Sequence, residues 1–173
     1  MVKAPVKADA LLANTSGNTL YGTLLRTSRS ARSKAESNGL KLDVNYATED
    51  GKALNPSAIS QGTRFKAIIT VTNSSPARPY ESMALSFGIP SGWEIINDRL
   101  AGTATEEDGY DHLDIRDARA DWFFGLPEGR SKTFTLNLRA AYCGSFVMPS
   151  TVCQAMYEPA VNAFTADGTA EVK

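Results

Sequence analysis

Thr63-Arg64-Phe65-Lys66-Ala67-Ile68-Ile69-Thr70-Val71-Thr72-Asn73 decides the fold class. Phe65, Ala67, Ile69 and Val71 fall on one side of an extended chain. Arg64, Lys66, Thr70 and Thr72 fall on the other, with Ile68 among them. Successive side chains of a strand point to opposite faces, so this segment reads as a strand with one buried and one mostly wet face. The same alternation continues outward from it. Upstream, Leu40, Leu42, Val44 and Tyr46 alternate with Lys41, Asp43 and Asn45. Downstream, Met83, Leu85, Phe87 and Ile89 mark another strand, residues 93–96 resume extended structure, and 122–126 are apolar throughout. Phe134, Leu136, Leu138 and Ala140 then alternate with Thr133, Thr135, Asn137 and Arg139. Residues 146–148 and 152–157 supply the last well-marked strands. Turn-forming segments separate them: Glu49-Asp50-Gly51-Lys52, Pro90-Ser91-Gly92, Pro127-Glu128-Gly129 and Cys143-Gly144-Ser145. No window of a dozen residues keeps a helical period. Short strands punctuated in this way predict an all-β sandwich or barrel. Its core should contain Phe65, Ile69, Leu85, Phe87, Trp122, Phe124, Phe134, Leu136 and Leu138.

The N-terminal fifth differs. Residues 8–14 and 19–26 read as a hairpin around the polar turn Thr15-Ser16-Gly17-Asn18. Residues 27–38 are rich in Ser, Arg and Ala and read as a linker, which places the domain boundary after residue 36. Residues 1–36 are then a tail, hairpin and linker, and 37–173 the sandwich. The basic residues Arg26, Arg29, Arg32 and Lys34 sit in that solvated linker.

Composition excludes several classes of partner. The chain has 173 residues, 42% apolar and 21% charged, with net charge −1. That is ordinary for a globular domain and gives no electrostatic reason to bind nucleic acid or an anionic membrane. No run approaches the ~20 apolar residues of a membrane span, and the first residues lack the apolar core of a signal peptide.

No catalytic or cofactor motif appears. Gly-x-x-x-x-Gly-Lys-Ser/Thr, Gly-x-Gly-x-x-Gly and Gly-x-Ser-x-Gly are all absent. The single histidine, His112, lies in the charged stretch 110–121 and would need a serine and an orienting acid in a cleft to act as a hydrolase base. Asp108, Asp111, Asp114, Asp117 and Asp121 lack the spacing of a calcium loop. Arg116 and Arg119 are interleaved with them, so an ion-paired scaffold of Asp111, Asp114, Arg116, Asp117 and Arg119 is the expectation. Cys143 and Cys153 are too few for a disulfide scaffold or a zinc site. They read as two separate core thiols, as one disulfide, or as reactive groups. No enzyme, metal or cofactor is expected.

Several stretches, in order over about residues 40–160, resemble the C-terminal macroglobulin-like domain of bacterial alpha-2-macroglobulins. Pro90-Ser91-Gly92-Trp93-Glu94-Ile95 resembles that family's Pro-x-Gly-x-Glu-Ile. Tyr110-Asp111-His112-Leu113-Asp114-Ile115-Arg116-Asp117-Ala118-Arg119 resembles its Tyr-Asp-x-x-Asp-Ile-Arg-Asp-Asp-Arg, with Ala118 where an aspartate is expected. Gly144-Ser145-Phe146-Val147-Met148-Pro149 resembles Gly-x-Phe-x-x-Pro, and Gln154-Ala155-Met156-Tyr157-Glu158-Pro159 resembles Glu-Ala-Met-Tyr-x-Pro.

The resemblance implies an antiparallel two-sheet immunoglobulin/macroglobulin-like sandwich. It also implies a non-catalytic domain of a protease-trapping inhibitor that packs against the thioester domain and shields the bond from water. The partners would be the thioester and neighbouring macroglobulin-like domains of a parent chain, with proteases met only through that parent. The parent would be exported to the periplasm or cell envelope. The family's shielding tyrosine would be Tyr157 ahead of Tyr110. The thioester motif is not in this sequence: Cys143-Gly144 is followed by Ser145-Phe146. The competing reading is an immunoglobulin-like adhesion or carbohydrate-binding module, which calls for a face rich in exposed Trp and Tyr.

Overall fold

A computed structural model describes residues 13–15, 17–19, 21, 34–96 and 109–173. The chain divides into two compact units, Met1–Ser30 and Ala31–Lys173. The described residues of the first unit include no strand, and the rest of the hairpin expected over residues 8–26 lies outside the described residues. A loop, read from the Gly- and acid-rich residues 101–109, likewise lies outside the described residues apart from Gly109.

The second unit is built of strands, with no helix among its described residues. They are β1 Glu36–Asn38, β2 Leu40–Thr48, β3 Arg64–Asn73, β4 Tyr80–Gly88, β5 Trp93–Ile95, β6 His112–Arg116, β7 Arg119–Leu126, β8 Ser131–Ala140, β9 Gly144–Met148, β10 Val152–Ala155, β11 Glu158–Phe164 and β12 Gly168–Val172. One sheet runs β1-β11-β10-β4-β7-β6, a second runs β2-β3-β8-β5, and β9 pairs with β12. Every pairing between these strands is antiparallel. The alternation called for a sandwich or a barrel, and the structure is the antiparallel sandwich that the resemblance implied.

The core lies between the two large sheets. Phe65, Ala67, Ile69 and Val71 of β3 and Phe134, Leu136 and Leu138 of β8 face Met83, Leu85 and Phe87 of β4 and Trp122, Phe124 and Leu126 of β7. All nine predicted core residues are buried. The outer face of the β3–β8 pair is polar: Thr70 and Thr133 share a hydrogen bond at 3.1 Å, and Thr72 and Ser131 one at 2.7 Å. Such cross-strand pairs fix register on a wet face, because a one-residue slip would turn the core outward.

Five strands depart from the sequence reading. Glu36–Asn38, expected as the last of the linker, form edge strand β1 against β11. His112–Arg116, read only as a charged segment, form edge strand β6, and β7 begins at Arg119, ahead of the apolar run. Strands β11 and β12 were not expected at all. β12 is nevertheless integral: Ala170 and Val172 are buried, and segment 56–61 flanks it on the side away from β9. Glu171 N donates to Pro56 O at 3.0 Å, Ile59 N to Glu171 O at 3.0 Å, and Lys173 N to Ile59 O at 2.8 Å.

Gly92 marks where β9 closes on the sandwich. A Cβ at Gly92 would lie 2.2 Å from Cε2 of Phe146. The ring therefore packs directly on the turn backbone, and only glycine leaves room for it. Gly92→Ala should destabilise by about 1–3 kcal/mol through forced repacking, measured as the shift of a denaturant midpoint. An unchanged midpoint would mean that Phe146 moves aside freely.

Candidate functional site

The two residues Met156-Tyr157 connect β10 to β11, with Ala155 opposite Glu158. Two-residue hairpins favour primed turns, which need positive φ and hence Gly or Asn. Here no described non-glycine residue has positive φ. The ladder instead shifts register between Gln154 and Ala155, which absorbs the mismatched twist. Met156 N donates to Ser82 O at 2.8 Å, and Ser82 lies within the register shift of β4 between Tyr80 and Met83. The tip backbone is thus tied down while its side chains project. Tyr157 is 84% exposed, and Met156 beside it is also exposed.

A shallow cavity of about 410 Å³ opens beside the tip, lined by Arg78, Tyr80, Glu81, Ser82, Tyr157 and Glu158, among others. The Arg78 guanidinium carbon stands 5.2 Å from the centre of the Tyr80 ring, within cation–π range, and Arg78 also pairs with Glu158. The Tyr80 side chain and then the Glu158 carboxylate hold the guanidinium above its ordinary pKa.

Tyr110 is placed differently. It precedes β6, is half-buried, and packs against the core cluster. Of the two tyrosines singled out by the resemblance, only Tyr157 presents its ring to solvent.

The charged stretch is part of the sheet. Asp114 faces Asp121 across the β6–β7 pair, and Arg116 faces Arg119. Like charges directly opposite one another repel. Each aspartate is neutralised along its own strand: Arg116 to Asp114 at 2.8 Å and Arg119 to Asp121 at 2.8 Å. The Asp114 side chain raises the Arg116 pKa by hydrogen bond and charge. Neither pair bridges β6 to β7, so the backbone ladder holds this segment in place and the arginines do not. Among the described residues Asp111 and Asp117 make no ion pair. The Asp111 amide donates to Phe123 O at 2.8 Å. His112 is exposed on the same outer face, 6.0 Å from the Phe123 ring centre. Among the described residues no three His, Cys, Asp or Glu side chains converge as a metal site would require.

The two thiols are free and differently placed. Cys153 points inward from β10 between Leu85 and Ala163, and burial pushes its pKa up to about 12. Cys143 is exposed on the β8–β9 connection, where its thiol donates to Gln61 Oε1 at 3.3 Å. The two sulfurs are thus held apart in this structure, one facing the core and the other the surface. The native chain should titrate one thiol quickly and the second only on unfolding. Slow reaction of both would contradict these positions.

Both tryptophans are in the core. Tyr142 and Tyr157 are exposed, so tyrosines and no tryptophan remain for the aromatic face that the competing reading calls for.

Residues 39–160, well over half of the chain, match the family described as the bacterial alpha-2-macroglobulin MG10 domain. No curated protein matches the chain in sequence. Solved structures give the same fold. A mutant Salmonella alpha-2-macroglobulin is 22% identical with a TM-score of 0.74, over 83% of this chain and 10% of that one. Salmonella alpha-2-macroglobulin reacted with methylamine is 22% identical with a TM-score of 0.73, over 83% and 10%. The native conformation of Escherichia coli alpha-2-macroglobulin is 20% identical with a TM-score of 0.74, over 85% and 10%. The chain spans about a tenth of the length of these relatives. By its matched residues and its sandwich, the chain belongs to the bacterial alpha-2-macroglobulin MG10 domain family.

Proposed function

We propose that this domain is a non-catalytic cover for the thioester domain of a longer, exported protease-trapping parent, and that Tyr157 is the side chain it places over the bond. One observation carries the reading. Tyr157 is a large ring, 84% exposed, on a backbone held at both ends of a two-residue turn. An amphipathic ring held out in this way is suited to fill a partner's hollow and exclude water. A thioester survives in water only where nucleophiles are kept away, so a fitted ring would act as its lid. Neighbouring macroglobulin-like domains of the parent would pack on the rest of the surface, and proteases would be met by the parent as a whole, in the periplasm or cell envelope.

The test uses the parent carrying Tyr157→Gly. Its reaction with methylamine should accelerate on the order of tenfold, the effect of removing ~1.4 kcal/mol of barrier. Tyr110→Gly should leave that rate near the unmodified value while lowering stability. An unchanged rate with Tyr157→Gly, or a parent that consumes no amine, would overturn the reading.

A further inference from the structure

Arg78 and Glu158 lie 80 residues apart in sequence and meet at the hairpin tip. We propose that Arg78 is a positioning residue for Tyr157: its guanidinium, stacked on Tyr80 and paired with Glu158, sets the direction in which the tip presents the ring. The inference rests on the shielding role for what Tyr157 does, but not for how Tyr157 is held.

Both ends of Arg78 are anchored. Its carbonyl accepts from Nδ2 of Asn73 at 2.9 Å. The Asn73 side chain is buried, donates also to Pro127 O at 3.2 Å, and accepts from Ser75 N at 2.9 Å. Asn73 thus fixes the β3–β4 connection to the end of β7. At the far end the guanidinium lies over Tyr80, a buried and therefore rigid platform. Arginine suits this place because a planar cation can stack and pair at once, which lysine cannot do.

Glu158 is the first residue of β11 and follows Tyr157 directly, so restraining its carboxylate restrains the twist of the tip. Without Arg78 the described residues hold the tip by backbone bonds, the ladder at Ala155 and Glu158 and the bond from Met156 N to Ser82 O. Arg78 and Glu158 are about half exposed, so the pair contributes little to global stability. Its effect should be orientation, which lowers the cost of docking the ring.

The clamp is tested on this 173-residue chain by amide order parameters from NMR relaxation. Arg78→Ala should lower those of Met156, Tyr157 and Glu158 from the rigid value of about 0.85 toward ~0.6, with other strands unchanged. Exchanging the charges, Arg78→Glu with Glu158→Arg, should restore them in part. Unchanged values at the tip, or a uniform fall through all strands, would overturn the proposal. In the parent, Arg78→Ala should accelerate the methylamine reaction, and should add nothing when Tyr157 is already glycine. If Tyr157→Gly accelerates the reaction and Arg78→Ala does not, the clamp is wrong and shielding stands. If Tyr157→Gly does nothing, shielding is wrong, and the order parameters judge the clamp alone.

Discussion

Phe134→Ala is expected to lower the stability of the sandwich by about 3–5 kcal/mol. Phe134 is buried at the middle of β8, opposite Ile69, and its ring centre lies 4.7 Å from that of Phe124 and 5.6 Å from that of Trp122. These three rings join the two sheets. Truncating the central one removes its transfer free energy and leaves a cavity that Trp122 and Phe124 cannot fill, because their strands are fixed by the β4–β7 and β6–β7 ladders. A domain of this size is stable by only about 5–15 kcal/mol, so the loss is a large fraction. A denaturant midpoint shift worth less than 1 kcal/mol would show that Phe134 is not a core residue.

Removing residues 166–173 is expected to be comparably severe. Burial of Val172 alone contributes ~1.5–3 kcal/mol, and Ile59, which pairs with it, would lose its cover. The backbone bonds from 56–61 to β12 would also go, and β9 would lose the strand it pairs with among the described residues. The truncated chain should melt roughly 10 °C or more below the full one, or fail to fold. Unchanged melting would mean that β12 is an ornament on a sandwich complete without it.

How much of this was legible in sequence varied with the physical origin of the signal. β2, β3, β4 and β8 bury one face and wet the other, so their period was plain. β12 was not legible because Gly168, Thr169, Ala170 and Glu171 have no hydrophobic run. Ala170 is buried by what surrounds it, namely β9 and the 56–61 segment. β11 begins Glu158-Pro159-Ala160 and buries only Val161 and Ala163, too little apolar volume to announce a strand. β6 hid behind its charges, since only Leu113 and Ile115 face the core. The ion pairing of its arginines was legible, because their alternate spacing places each arginine beside an aspartate, and that same spacing makes the pairs run along each strand and not across the sheet.

The candidate site was legible only in part. Tyr157 and Tyr110 were marked by resemblance alone, and their different exposure required the fold. Nothing local in Ser74-Ser75-Pro76-Ala77-Arg78 signals that Arg78 meets Glu158, because the contact is made by the topology that sets β4 beside β10.

Tyr157 is expected to sit under cover in the intact parent. Site-resolved nitration of Tyr157, followed by peptide mass spectrometry, tests it most directly. In this 173-residue chain, where the ring is 84% exposed, nitration should be fast. In the intact parent it should be strongly suppressed, and it should recover once a protease has cut and activated that parent. Equal nitration rates for Tyr157 in the isolated chain and in the intact parent would contradict the account.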